Sequence, residues 1–185
     1  MSVTYPLYYW LYRISRTGVL FLMAYGCLIW ILLSALFAPR FPRLWKWFNA
    51  VLLGFVMLAI VYYTVLRRSV SPSREVQLRL FSFRIAAREN DEIFRQTIMN
   101  ALLFFPFGLF VSTLLPAQWS GAKVILVTVL MGFAFSFVIE SLQYMLACGN
   151  AEADDVLMNT VGTLTAAVHV PFARLLRNAL NNKSI

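Results

Sequence analysis

Charged side chains are scarce in this sequence. Asp, Glu, Lys and Arg make up only 13% of its 185 residues, whereas a soluble domain usually carries about 25%. Hydrophobic residues make up 61%, including 16 Phe, 8 Tyr and 5 Trp. Such an excess of apolar and aromatic side chains is typical of a chain that folds in lipid. The length predicts one domain without a separate soluble catalytic module.

Histidine and cysteine are also rare, with one His and two Cys in the chain. Cys27 and Cys148 have no metal-ligand spacing, so we expect no structural zinc site, no disulfide framework and no cofactor. The net charge of +8 does not indicate nucleic-acid binding. Nearly all Lys and Arg residues fall between apolar runs, where they act as interfacial anchors for membrane spans. We therefore expect membrane lipid, and no nucleic acid, as a partner.

Long apolar runs dominate the rest of the sequence. A helix needs about 20 apolar residues to cross the hydrocarbon. Four runs meet this length and a fifth is shorter: residues 17–38, 47–66, 96–115, 124–147 and 156–172. Each run is continuous rather than alternating, which favours helices over strands. The sequence therefore predicts an all-α, polytopic transmembrane helix bundle with about five spans. Residues 1–66 hold two helices, 67–172 a surface loop and three helices, and 173–185 a polar tail.

The connections between the runs carry the cations. Residues 38–46 contain two prolines, which predict two breaks of the helix. Residues 67–95 form a long polar segment with seven Arg and four acids. We expect this segment to lie on the membrane surface, with Leu80, Phe81, Phe83 and Ile85 in the headgroup layer. An inside N-terminus would put nine Lys and Arg inside and seven outside, which is too small a margin to fix the orientation.

Glu140 is the charge that lies deepest in a predicted span. A charge at the bilayer centre costs at least about 2.5–3.5 kcal/mol, so such a residue is a functional candidate. Polar and small residues recur at helical spacing around it and along the next helix: Thr128, Gly132, Ser136, Glu140 and Gln143, then Asp155, Asn159, Gly162, Ala166 and His169. Each set shares one face of its helix. We predict that the two faces meet.

The third span adds polar residues at the same end of the bundle. Chain direction brings its start close to the end of the fourth span and the start of the fifth. We therefore predict one pocket formed by Arg95, Asn100, Glu140, Gln143, Asp155 and Asn159. Structural roles are the alternative: the amides as interhelical hydrogen bonds, Glu140 in a structural pair, the acids as a helix cap, and His169 as a packed residue.

Three motifs resemble the VanZ-like family. They are Asn100-x-x-x-Phe104-Phe105-Pro106-Phe107-Gly108, Glu140-x-x-Gln143 and Asp155-Val-Leu-Met-Asn159-Thr-Val-Gly162. The resemblance runs from about residue 66 to the end of the last span, and the first span is an addition to the family pattern. Two elements differ, because Gly149-Asn150 stands where the family has Gly-Arg and residues 80–83 lack the family proline. If the family arginine binds an anion, Arg95 or another loop arginine would have to replace it here, because this chain has Asn150 at that position.

The resemblance implies a bacterial cell-membrane protein whose polar site faces the extracytoplasmic side. The founding member of the family is associated with resistance to teicoplanin, a lipoglycopeptide antibiotic. The leading hypothesis is a protein that binds an amphiphilic envelope ligand (a lipid, a cell-wall precursor or a lipoglycopeptide). Arg95 would meet an anionic group. The other predicted contacts are Asn100, Gln143, Asn159, Pro106, Gly108 and Gly162, with Phe104–Phe107 lining the apolar part.

Two other functions fit the same residues. In an intramembrane enzyme acting on a lipid-linked substrate, Glu140 and Asp155 would be the catalytic acid and base. In a proton-coupled transporter, Glu140 would carry the proton, and five spans without an inverted repeat would require a dimer. A homo-oligomer is compatible with the sequence.

Overall fold

The computed structural model describes residues 16–70, 75–81 and 91–182, with residues 16–17, 91–96 and 182 described by their backbone only. These parts form six α-helices and two short strands. In chain order they are α1 (Arg16–Arg40), α2 (Pro42–Val61), β1 (Val76–Gln77), α3 (Asp91–Leu114), α4 (Gly121–Met145), β2 (Ala151–Glu152), α5 (Ala153–Ala167) and α6 (His169–Asn182). A π-helical turn, Tyr62–Leu66, continues α2.

Five segments are long and apolar enough to cross a membrane. They are Gly18–Arg40, Pro42–Leu66, Thr97–Leu114, Gly121–Met145 and Ala153–Asn181. Large apolar side chains point away from the protein along these helices. Trp47 is 72% exposed and Leu58 is 69% exposed, and such surfaces are suited to lipid contact. The predicted all-α polytopic bundle of about five spans is confirmed.

Helix α3 lies at the centre of the bundle and packs against α1, α2, α4 and α5. Its aromatic residues are buried on two sides. Phe104 and Phe107 pack with Ile60 and Ile139, and Phe105 packs in a second cluster with Met23. The predicted role of Phe104–Phe107 as the apolar lining of a ligand site is not what the structure shows, because these rings fill the helix contacts instead.

The connection between α1 and α2 is a single residue, Phe41. The prediction of two breaks is therefore wrong. Pro39 lies inside the last turn of α1, and the hydrogen-bond ladder resumes at once, because the amide of Phe41 donates to the carbonyl of Phe37 at 2.9 Å. Pro42 begins α2, where its missing N–H leaves no intrahelical bond unmade.

Residues 173–182 of the predicted polar tail continue as a helix, and residues 183–185 lie outside the described residues. Helix α5 ends at Ala167, and α6 extends to Asn182. Helix α6 is amphipathic, with Val170 and Ala173 buried and Phe172 and Leu175 exposed. The apolar run ends near residue 172, so run length alone missed this helix, whose leucines recur at helical spacing.

Residues 75–81 are attached to the end of the bundle by the pairing of β1 with β2. Val76 is opposite Ala151 and Gln77 is opposite Glu152 in a parallel register. The amide of Ala151 donates to the carbonyl of Glu75 at 3.0 Å. The surface-loop prediction did not include this attachment. Leu80 and Phe81 are half-exposed; Phe83 and Ile85 lie outside the described residues.

Candidate functional site

Several polar side chains lie at the end of the bundle where α2 ends, α3 begins, α4 ends and α5 begins. Glu140, Gln143, Asp154 and Asn159 are buried, with Glu140 only 5% exposed. Asn100, Glu152 and Asp155 beside them are partly buried. We call these seven residues the polar cluster. The predicted convergence of the third, fourth and fifth spans is therefore found in the structure.

The polar faces of α4 and α5 meet, as predicted. The amide of Asn159 donates to the hydroxyl of Ser136 at 2.8 Å. Farther along the same contact, a Cβ placed on Gly132 would lie 2.4 Å from Oγ1 of Thr163. The small residue lets the two helices approach, and the hydrogen bond is made across the contact.

The acids of the polar cluster connect different elements of the bundle. Nδ2 of Asn100 donates to Oδ1 of Asp155 at 2.6 Å, which links α3 to α5. The backbone amide of Glu152 donates to Oε2 of Glu140 at 3.0 Å, which links β2 to α4. The backbone amide of Phe81 donates to Oδ1 of Asp154 at 2.6 Å. Hydrogen bonds to a carboxylate are stronger than neutral ones, so these acids stabilise the contacts between the elements that form the site.

Arg68 brings a positive charge to the polar cluster. It lies just after the π-helical turn, close enough for its charge to act on Glu140, Glu152 and Asp155. Its guanidinium also lies beside Gly149, where an added Cβ would be 2.5 Å from Nη1. Arg68 therefore stands next to Asn150, the position at which the VanZ-like pattern has an arginine.

Sequence analysis did not single out Arg68, because it is one of seven arginines in residues 67–95. The available signal was its place two residues after the end of the second apolar run, at the same end as Glu140. The side chain of Arg95, the predicted anion contact, lies outside the described residues.

The negative charges of the cluster also act on one another. Burial raises the pKa of Glu152 above its ordinary value, the neighbouring Asp154 raises it further, and Arg68 lowers it. The effect of burial is the largest of the three, because a low-dielectric surrounding disfavours the charged form.

Two acceptor atoms of the cluster have no hydrogen-bond partner among the described residues. Nε2 of Gln143 donates to the carbonyl of Thr64 at 3.0 Å, but its Oε1 is unpaired, and so is Oδ1 of Asn159. A buried polar atom without a partner costs about 1–3 kcal/mol. These oxygens remain free to accept a hydrogen bond from a donor that enters the polar cluster. Within the described ranges, no group of three or more His, Cys, Asp or Glu could hold a metal ion.

A cavity of about 580 Å³ adjoins the cluster on the side of the bundle between α4, α5 and residues 76–80. We call it the lateral groove. Its lining residues are Val76, Leu78, Leu80, Phe133, Phe137, Glu140, Ser141, Tyr144, Met145, Ala151, Glu152, Ala153, Val156, Leu157 and Thr160. Ligand sites usually have volumes of about 300–1,000 Å³. Most of the lining is apolar, and Glu140 and Glu152 are its only charged residues, so the groove has the character of an amphiphile site.

Of the predicted site residues whose side chains are described, Glu140 alone lines the groove. Asn100, Gln143, Asp155 and Asn159 lie in the cluster behind it. Gly108 and Gly162 lie in the contact between α3 and α5, close to the backbone of Thr163 and of Ala101 respectively.

Pro106 lies partly buried inside α3. The aromatic side chains that do line the groove, Phe133, Phe137 and Tyr144, were missed by sequence analysis. Their helical spacing on α4, next to the polar face, was the signal available.

The VanZ/LLP1 family model matches residues 48–176, which is more than half of the chain. No curated protein and no solved structure matches the chain. The match begins within α2, earlier than the start near residue 66 inferred from the motifs, and it leaves out α1. It covers every residue of the polar cluster and the lateral groove. This chain is therefore a membrane protein that belongs to the VanZ/LLP1 family.

Proposed function

We propose that this protein binds an amphiphile of the cell envelope, with the apolar chain of the ligand in the lateral groove and its polar head beside Glu140. One observation supports this most directly: a largely apolar cavity has the buried Glu140 in its lining. A carboxylate that only joined two helices would need no cavity beside it. Oε2 of Glu140 accepts one backbone hydrogen bond, and a carboxylate has about four acceptor positions.

The chemistry of the lining favours a head group that donates hydrogen bonds. Glu140 and Glu152 accept hydrogen bonds when ionised, so hydroxyl, amide or ammonium groups suit them. Arg68, at the edge of the cluster, is suited to a phosphate or carboxylate on the same ligand. Lipids, cell-wall precursors and lipoglycopeptides combine such groups with a long apolar chain. Membership of the VanZ/LLP1 family supports this class and, by resemblance, an extracytoplasmic position of the site.

The apolar part of the proposal is tested with the purified protein and fluorescently labelled teicoplanin. We expect Phe137→Ala to weaken binding about tenfold, because it removes apolar contact area from the groove. Phe55→Ala is the control, since Phe55 is an exposed ring on α2 that does not line the groove. Equal affinities for the two variants would contradict binding in the groove.

The polar part is tested with charge variants. We expect Glu140→Gln and Arg68→Ala to bind labelled teicoplanin more weakly than the wild type. Arg67→Ala is the matched control, because Arg67 is adjacent in sequence but lies over the ring of Tyr63 at 5.8 Å.

In a bacterial host without an outer membrane, wild-type protein should protect against teicoplanin and Glu140→Gln should not, at equal membrane levels. Protection by both would separate the phenotype from the polar cluster.

An intramembrane enzyme is the second candidate, because Glu140 and Asp155 are close enough for their charges to interact. Two such carboxyl groups are able to share acid and base roles. Asp155 does not line the groove, however, and one of its oxygens is bonded to Asn100. This geometry favours binding over catalysis. Turnover of a lipid-linked substrate in reconstituted vesicles that is lost in Glu140→Gln, with binding retained, would favour the enzyme.

A further inference from the structure

A second cavity lies at the opposite end of the bundle, where α1 and α3 end and α2 and α6 begin. We call it the basic cavity. It has a volume of about 160 Å³, and its lining residues are Ser34, Ala38, Pro42, Trp45, Lys46, Ser112, Thr113, Leu115, Ala117, His169, Val170, Ala173, Arg174 and Arg177. None of the functions discussed above uses these residues.

The charge around the basic cavity has one sign. Lys46, Arg174 and Arg177 line it, and no acid does so among the described residues. The sequence explains this, since all eight acids fall within residues 75–92 and 140–155. Helices α1, α2 and α6 contain none. Arg174 donates to the backbone carbonyl of Trp119, but three cations gathered at one cavity without an acid favour an anionic ligand.

Two buried polar groups of the lining have no hydrogen-bond partner in the described part of the chain. They are Nε1 of Trp45 and Oγ of Ser34. Trp45 is only 8% exposed, and its indole N–H is a donor that cannot accept. It therefore requires an acceptor atom. A ligand with several acceptor oxygens would satisfy this group and balance the cations at the same time.

We propose that the basic cavity binds the phosphate of an anionic phospholipid from the leaflet at this end of the bundle. The volume is well below the range of about 300–1,000 Å³ typical of sites that enclose a whole small molecule, so it suits a head-group phosphate. The surroundings suit the rest of the lipid. Phe37 and Phe172 are exposed beside the cavity on α1 and α6. Basic pockets between spans at a membrane surface are a known form of lipid site.

The amphipathic character of α6 supports the same inference. Its residues Arg174 and Arg177 line the cavity, whereas Phe172 and Leu175 are exposed. A helix with cations on one face and apolar side chains on another is suited to lie at the membrane interface. The apolar face would contact acyl chains at the level where the cations meet phosphate.

The test uses the full-length protein in a neutral detergent, with phosphatidylglycerol or phosphatidylcholine added in small amounts. Native mass spectrometry measures retained lipid, and the thermal midpoint measures stabilisation. We expect retention of phosphatidylglycerol and a raised midpoint, with little effect of phosphatidylcholine. Arg177→Gln should lower the apparent affinity for phosphatidylglycerol about tenfold, as expected for loss of a charged hydrogen bond. Trp45→Phe keeps an aromatic ring but removes the indole N–H, and should also weaken binding.

Arg43→Gln is the matched control, because Arg43 is an exposed cation at the same end that does not line the cavity. Inorganic phosphate, added in place of lipid, distinguishes a free anion from a head group. Stabilisation by inorganic phosphate alone, with no effect of phosphatidylglycerol, would overturn the lipid assignment. Equal losses in Arg43→Gln and Arg177→Gln would overturn the site. Far-UV circular dichroism of each variant confirms that the helices are intact.

Discussion

At the scale of single residues, two glycines let α3 and α5 approach closely. A Cβ on Gly162 would lie 2.0 Å from the carbonyl oxygen of Ala101, and one on Gly108 would lie 2.5 Å from that of Thr163. Both neighbours are backbone atoms, which move only if a helix moves. Because Asn100 directly precedes Ala101 and Asp155 lies about two turns before Gly162 on the same helix, the separation of these helices also sets the geometry of the polar cluster.

Gly162→Ala should therefore destabilise the protein. We expect a loss of about 1–3 kcal/mol, the usual range for overpacking of a tight contact. The control is Gly54→Ala, because no atom lies within 4 Å of a Cβ at Gly54. That change should be neutral or slightly stabilising, since Ala is a better helix former by about 0.5–1 kcal/mol. Thermal unfolding in detergent compares the two, and equal midpoints would contradict the close approach.

Also at the scale of single residues, the environment of Glu152 predicts that the stability of the folded protein depends on pH. Its pKa is raised in the folded protein, chiefly by burial. Protonated Glu152 therefore favours the folded state most below the ordinary pKa of a glutamate, about 4.3. This contribution of Glu152 to the free energy of unfolding is lost as the pH rises through the raised pKa. Glu152→Gln should unfold at a higher temperature than the wild type at neutral pH. The difference should stay below about 1 kcal/mol, because Glu152 is partly solvent-screened, and should vanish near pH 4. A difference independent of pH would rule out this origin.

At the scale of elements, the pairing of β1 with β2 positions one wall of the lateral groove. The amide of Ala151 donates to Glu75, and Val76 and Leu78 line the groove. Ala151→Pro removes the donor, so residues 75–81 should detach and trypsin should cut faster after Arg79. Ala151→Gly keeps the N–H and is the control. Mass spectrometry of the fragments identifies the cleavage site; equal cutting in both variants would mean that the pairing does not hold this segment.

The elements that sequence analysis predicted and those it missed differ in the kind of signal they carry. Runs of apolar residues predicted the five spans, and helical spacing predicted that Ser136 and Asn159 face each other. The β1–β2 pairing was missed because strands of two residues have no recognisable period. The lateral groove was missed because it depends on where residues 76–80 come to lie, and the burial of Phe104–Phe107 depends on α3 being central. The electrostatic effect of Arg68 on the acids depends on the fold as a whole, which brings the end of α2 close to them.

At the scale of the whole molecule, the two ends of the bundle differ in charge. All eight acids of the sequence lie toward the polar cluster or in the segment that leads to α3, whereas the basic cavity end has cations alone. The sequence has nine Lys and Arg residues on the side of the polar cluster and seven on the side of the basic cavity. The positive-inside rule would therefore put the polar cluster inside, which opposes the orientation implied by the family. Arg68 shows why the count is a weak guide, since its charge acts on three acids of the cluster.

Labelling of single cysteines in intact cells tests the orientation directly. Cys27 and Cys148 are first replaced by Ala, and Ser69→Cys or Ala117→Cys then places one thiol at an exposed position at each end. With the polar cluster outside, a membrane-impermeant maleimide should label Ser69→Cys in intact cells and Ala117→Cys only after permeabilisation. The reverse labelling pattern would mean that the lateral groove faces the inner leaflet. A lipoglycopeptide added from outside would then not reach Glu140, and ligands of the inner leaflet would be the class to test.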